Sequence, residues 1–526
     1  MWLQLQNSDL ESAMSRFDRW RLVRVAVVLV WIVVVALHAR REYFKPLELR
    51  LAEGARLLEP GSHSYLATMG GHAIGFATSR LDTIADGFRL VDQMLIDVPV
   101  QSSWQRAVVE TRAELGPGLE LRDFAFLLES GVGRFEVRGW ARGDTLLELE
   151  VGAGGAAERS VLRVRGGVVL PAILPFRLAA AGLLREGAEH VVRIFDPSTL
   201  GEREVKLRVL AREERIVPDT AVFDPERGVW EVGAYDTVPV WKVEEEFGTV
   251  RVSSWIDDDG RLVRSEGALG FALERTAPEL ARAAWNETRN DPSLASGYGV
   301  VIEGTAIASN ADLSRSGSAD QLRVRLSGVD LTGFDLAGGR QTLRGDTLVV
   351  ERERLAGRDV GYRLPYGGGG EPARELAATP LIQATDPRIM QVAREIAGDE
   401  TDPVVVARKL NDWVYGALRK EVTLSVPSAV QVLEARRGDC NEHTVLYIAL
   451  ARALGLPART AVGVVYVNGR FYYHAWPEVW LDGWVAVDPT FGQAPADASH
   501  LRFLVGGLER QVELVRLIGR LELEVL

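Results

Sequence analysis

The sequence predicts a multidomain chain: an N-terminal transmembrane helix, a β-rich accessory region built as a barrel-like or curved antiparallel sheet, and a C-terminal α+β domain. Three observations carry this. Val25–Leu37 reads VAVVLVWIVVVAL without a polar residue. Apolar and polar residues alternate with period two over much of 60–276 and again over 321–355. After the four glycines of PYGGGGEPARELAATP (Pro365–Pro380) the period becomes helical. At 526 residues the chain is too long for one hydrophobic core. Its composition, 47% hydrophobic and 25% charged, is that of a folded protein. A net charge of −12 with no extended basic stretch argues against a nucleic-acid partner.

Residues 1–21 are expected to be a cytoplasmic segment and 22–39 a signal anchor. The strictly apolar run is shorter than the roughly 20 residues that span a bilayer, so the reading requires Arg24 and His38 to snorkel to the interfaces. Arg16, Arg19, Arg21 and Arg24 precede the run and place the N-terminus inside. A cleaved signal peptide fits less well, because a cut after Ala39 puts Leu37 where a small residue is required. The expectation is a single-pass inner-membrane protein with the bulk of the chain periplasmic or otherwise extracytoplasmic.

Next come a β-rich domain at 60–276 and a second β-rich region at 277–364. REVKLRVL (Arg203–Leu210) alternates as half-buried strands do, and Asp259-Gly260 marks a hairpin. VGAGGAA (Val151–Ala157) superficially resembles a dinucleotide-binding turn. The next segment, ERSVLRVRGG, alternates like a strand, so a glycine-rich hairpin is the better reading. The glycine- and proline-rich stretch 365–380 is expected to be a flexible linker. In 381–526, DPRIMQVAREIAG and DPVVVARKLNDWVYGALRK each open with an aspartate N-cap and proline at the first helical position.

The only cysteine, Cys440, stands in RRGDCNEH and opens CNEHTVLYIALARALG, which is apolar nearly all round from Thr444 to Ala451. That places a thiol in the first turn of a buried helix, where unpaired N–H groups and the macrodipole favour an anion. An exported chain cannot pair a lone cysteine internally, which points to chemistry. RFYYHAWPEVWL and GWVAVDPT read as adjacent strands joined at Asp482-Gly483. They bring His474 and Asp488 onto neighbouring strands, a carboxylate able to orient an imidazole.

These residues resemble the transglutaminase-like superfamily of papain-like cysteine enzymes. GDCNEHTVLYIALARALGLPARTAVG resembles its nucleophile helix and following strand, and YYHAWPEVWLDGWVAVDPT its His and Asp strands, in the same order. The likeness covers about a quarter of the chain and implies a catalytic domain within 381–526. It also implies Cys440 as nucleophile, His474 as general base and acid, and Asp488 as orienter. The calcium-site sequence of animal transglutaminases is not recognised, and neither a cofactor nor a metal is implied.

The expected function is therefore acyl transfer at an amide of a protein or peptide substrate, those of the cell envelope included. Hydrolysis is slightly preferred over transamidation because water is always available. Two other readings compete: a catalytically idle envelope binding or scaffold protein, and a zinc site built on Cys440, His443, His474 and Asp488. On the catalytic reading the thiol should ionise below its ordinary value of about 8.5.

Overall fold

The computed structural model describes residues 46–526 apart from 101–102, 132, 154–155, 248–249, 268–269, 291–305, 314–318 and 424. Its larger half is a single antiparallel sheet of fourteen strands, from Gly61–Met69 to Phe271–Thr276. The chain meanders outward through eight strands to one edge at Ala156–Arg163. It then crosses to the far edge at Glu189–Asp196 and meanders back until Thr276 pairs with Ser64. The crossing segment covers one face: Leu170, Ile173 and Phe176, with Leu51 and Ala55 of the helix Leu47–Ala55, pack against Leu90, Phe124, Phe135 and Val137. On the other face Arg80–Asp82, Arg89–Glu114 and Arg142–Glu148 are ion pairs open to solvent. The glycine-rich VGAGGAA joins two paired strands, with Ala153 opposite Ala156.

The expected fold class is corrected here. The transmembrane helix expected over 22–39 lies outside the described residues, and among the described residues no helix is long and apolar enough to cross a membrane. The physical weakness was visible in the run itself, thirteen apolar residues against the roughly 20 needed. The β-rich half is no barrel either: its two edge strands stay unpaired with each other, so the sheet is open.

In the C-terminal half, three helices surround the buried helix Cys440–Ala453: Pro387–Ala397, Pro403–Ala417 and Ala429–Ala435. Asp386, Asp402 and Ser428 cap them by accepting from first-turn N–H groups. Strands Ala458–Val467, Arg470–Trp480 and His500–Val505 form the sheet on which the helix rests. A further four-stranded sheet orders Gln341–Arg344, Thr347–Glu351, Gln321–Ser327 and the C-terminal Glu522–Val525. Its Leu322, Val324, Leu326, Leu348 and Val350 share one core with Val464, Phe471, Leu501 and Phe503 of the helix-bearing half. The glycine-rich stretch is strapped to the same body: Tyr366 N–H donates to Gly455 O (2.9 Å), and Glu375 accepts from Arg452 (2.6 Å).

This sharing sets a test of the folding unit. A fragment 381–526 would expose five apolar side chains' worth of contact, at roughly 1.5–3 kcal/mol for each one buried. That total rivals the roughly 5–15 kcal/mol stability of a whole domain. The expected outcome is a non-cooperative melt for 381–526 and a cooperative one for 306–526. Equal, sharp transitions for both would show that the strands 321–351 are dispensable.

The fourteen-stranded sheet meets the smaller half beside the start of the buried helix. Gln431 donates to Arg134 O (2.5 Å), Arg437 to Gly131 O, and Gln105 to Val422 O. Leu381 and Val426 pack into the sheet's core.

Candidate active site

Cys440 is the first residue of its helix. Asp439 is extended and N-caps it, accepting from Asn441 N–H (2.9 Å), while Glu442 reaches back to accept from Asp439 N–H (2.9 Å). This capping box fixes the peptide on either side of the thiol. Glu442 is buried and saturated, accepting also from Thr423 Oγ1 (2.6 Å) and Ser425 Oγ (2.5 Å). The approach requires Gly438, since a Cβ there would lie 2.2 Å from Glu442 Cβ. Behind the thiol, Leu446–Ala451 are wholly buried, so the helix start is held by a rigid rod.

Cys440 is half-buried and packs against the core that contains Ala475, the residue after His474. His474 lies opposite Gly463 in the sheet, buried, with its Nε2 2.7 Å from Asp488 Oδ2. Its ring is flanked by Trp476 (5.9 Å between centroids, 22° between planes) and by Phe491 (5.1 Å). Asp488 follows the short strand Trp484–Ala486 and closes a tight turn with Gln493, bonded in both directions at 2.7 and 2.8 Å. Its Oδ1 accepts from the N–H groups of Thr490 (2.7 Å) and Phe491 (3.2 Å). The fully buried Asn411, with its amide nitrogen turned to the turn, donates to Asp488 O (3.2 Å) and Gln493 O (3.3 Å).

The electrostatics correct one expectation. Burial pushes the Cys440 thiol well above its ordinary value, and the Asp439 charge adds to this while the Ala475 N–H opposes it. The helix terminus alone favours a thiolate, but the capping carboxylate that defines that terminus disfavours one. Asp439 is itself pushed up, by burial and by the Glu442 carboxylate. For Asp488, burial favours the neutral acid, yet the charges and hydrogen bonds of His474 and His500 win and hold it ionised, far below the usual carboxylate range.

Sequence reasoning missed His500. This fully buried histidine opens its strand and places Nε2 2.8 Å from Asp488 Oδ2, the oxygen that also faces His474. Its Nδ1 faces Asp497 Oδ1 at 3.2 Å. The signal available was a histidine opening a period-two run (HLRFLV) soon after Asp488.

The zinc quartet does not assemble. Among the described residues the potential metal ligands that converge are His474, Asp488 and His500, without Cys440 or His443. Both imidazole nitrogens lie at hydrogen-bonding distance, 2.7 and 2.8 Å, from one carboxylate oxygen. His443 instead points Nδ1 at Asp439 O (2.7 Å). Arg436 covers the Trp413 ring and Arg437 reaches Glu421, so both are engaged away from the sulfur.

A thiol at a helix start, packed against the strand that presents an imidazole, with a carboxylate supplied from just after the neighbouring strand, is the arrangement of papain-like cysteine enzymes, whose class of chemistry is acyl transfer. The particular family follows from residues 390–489, which match the model of the transglutaminase-like superfamily: this part of the chain is a transglutaminase-like domain. The match spans about a fifth of the chain. No curated protein matches. Among solved structures, a candidate cysteine protease from Cytophaga hutchinsonii is 15% identical, covering 39% of this chain and 83% of its own, with a TM-score of 0.28. The periplasmic domain of TgpA from Pseudomonas aeruginosa, bound to ethylmercury, is 20% identical, covering 33% and 74%, with a TM-score of 0.23. Overlap this slight carries no weight beside the family match.

Proposed function

We propose that the protein is a cysteine enzyme that cleaves an amide in a protein or peptide through Cys440, His474 and Asp488, with water as the second nucleophile. The observation that carries the reading is the convergence of Cys440, at the start of the buried helix and packed in the core that contains Ala475, with the neighbouring His474, whose Nε2 is held by Asp488 at 2.7 Å. Because Nε2 donates to Asp488, Nδ1 is the nitrogen left to accept a proton. The thiol starts protonated, so His474 acts as general base during attack rather than as a preformed imidazolium. The sulfur–carbon bond forms as the thiol proton moves to Nδ1. The C–N bond then breaks as that proton passes to the leaving amine. Water repeats the sequence on the thioester and restores the thiol. The N–H of Cys440 at the helix start is suited to receive the oxyanion.

The test is mass spectrometry of the intact protein after reaction with activated acyl esters and peptide amides. A Cys440 acyl adduct that decays in buffer supports hydrolysis. An adduct that persists until a primary amine is added favours transamidation, and an acyl group found only on other residues overturns the assignment.

A further inference from the structure

We propose that His500 is a positioning residue for the cysteine chemistry: it anchors the Asp488 oxygen that holds His474 and, as a buried cation between Asp488 and Asp497, weakens the grip of His474 on its proton. The inference rests on the reading of His474 as the base.

The protonation state follows from partners. An ionised carboxylate only accepts hydrogen bonds, so an imidazole with Asp488 Oδ2 at one nitrogen and Asp497 Oδ1 at the other must carry protons on both. Asp497 O adds a third acceptor, 3.3 Å from Nδ1. Burial disfavours this cation, but the hydrogen bonds and charges of the two aspartates outweigh it. Asp497 is in turn held ionised by His500 and by Ser499, whose N–H and hydroxyl donate to it at 2.9 and 2.6 Å. No solvent reaches the ring to screen these charges.

The consequence falls on His474. The rings of His474 and His500 are 5.8 Å apart and share one carboxylate oxygen. An aspartate facing His474 alone would spend its whole charge on that imidazole and make it a reluctant acid. With a second cation on the same oxygen, part of that charge is neutralised, and the proton taken from the thiol passes more readily to the leaving amine. The other groups close to the pair are Trp476 and Phe491, both uncharged, while the Cys440 thiol and His443 also feel Asp488.

The experiment is an NMR titration of the full chain labelled with ¹³Cε1-histidine, His474 being assigned from His474→Gln. His500→Gln removes the cation but keeps an amide donor, and Asp497→Asn removes the carboxylate that holds the second proton. Loss of a positive charge raises the proton affinity of its neighbours. The His474 midpoint should therefore rise by on the order of 1 pH unit in His500→Gln and by less, in the same direction, in Asp497→Asn. A role confined to packing would change the melting temperature and leave the midpoint in place. If His500→Gln does not fold, Asp497→Asn alone decides. A His474 midpoint that stays put or falls in the folded variants overturns the inference, with the Cys440 adduct untouched. Absence of that adduct instead overturns the catalytic role, with the measured coupling untouched.

Discussion

Cys440→Ala should abolish turnover, and His474→Ala should lower it nearly as far, each by on the order of 10⁵–10⁶-fold, with the double variant no worse than either. The size follows from the two residues acting as one unit. Without the thiol there is no acyl intermediate. Without the imidazole, a thiol held protonated by burial and by Asp439 has nothing to take its proton at the moment of attack. The non-additivity is the sharper part, because two independent contributions would multiply. Both variants should remain folded. Cys440 is at the helix terminus with its cap supplied by Asp439 and Glu442, and His474 is held through its strand pairing with Ala458–Val467. Intact-mass detection of the acyl adduct and initial rates on the same peptide amide check the prediction together. Turnover surviving in Cys440→Ala would show that the chemistry belongs elsewhere in the chain.

Whatever depends on near neighbours in sequence could be read without coordinates. The all-round apolar run from Thr444 to Ala451 defines a buried helix and puts the thiol at its start. The strand-like runs RFYYHAWPEVWL and GWVAVDPT and the Asp482-Gly483 turn between them are enough to set His474 beside Asp488. The relations that escaped are distant ones. Gln321–Ser327 pairs with Glu522–Val525 almost two hundred residues away, so the region around it looked like a separate module. Glycine content marked Pro365–Pro380 as supple, but it carries no information about Gly455 and Arg452, which hold that stretch down. Period-two alternation reports a strand's two faces and not its place among fourteen, so an open sheet and a closed one look alike. The thiol's ionisation was misjudged for a different reason: the helix dipole was weighed without the desolvation that a buried helix brings and without the charge of the adjacent Asp439.

Asp488→Asn should lower turnover by on the order of 10⁴-fold while the fold survives, and the cause is a tautomer rather than a lost contact. In the native site the Asp488 carboxylate accepts four hydrogen bonds, from Thr490 N–H and Phe491 N–H at Oδ1 and from His474 and His500 at Oδ2. An asparagine that keeps its oxygen toward the two backbone N–H groups must turn its NH₂ toward the two imidazoles. Each ring must then offer a lone pair at Nε2. For His474 this moves the remaining proton to Nδ1, the atom that should accept from the thiol, so the base is present but facing the wrong way. For His500 it strips the buried cation of one partner, and removal of one member of a buried charge cluster costs about 3–5 kcal/mol. Two readouts should therefore move together: a loss of turnover with little change in substrate affinity, and a melting temperature lowered by several degrees. Asp488→Glu offers the control, since it keeps the charge and moves the oxygens. It should hold both histidines in the native tautomer and retain more activity than Asp488→Asn if tautomer is the cause. Equal losses in the two variants would mean that distance matters and proton placement does not.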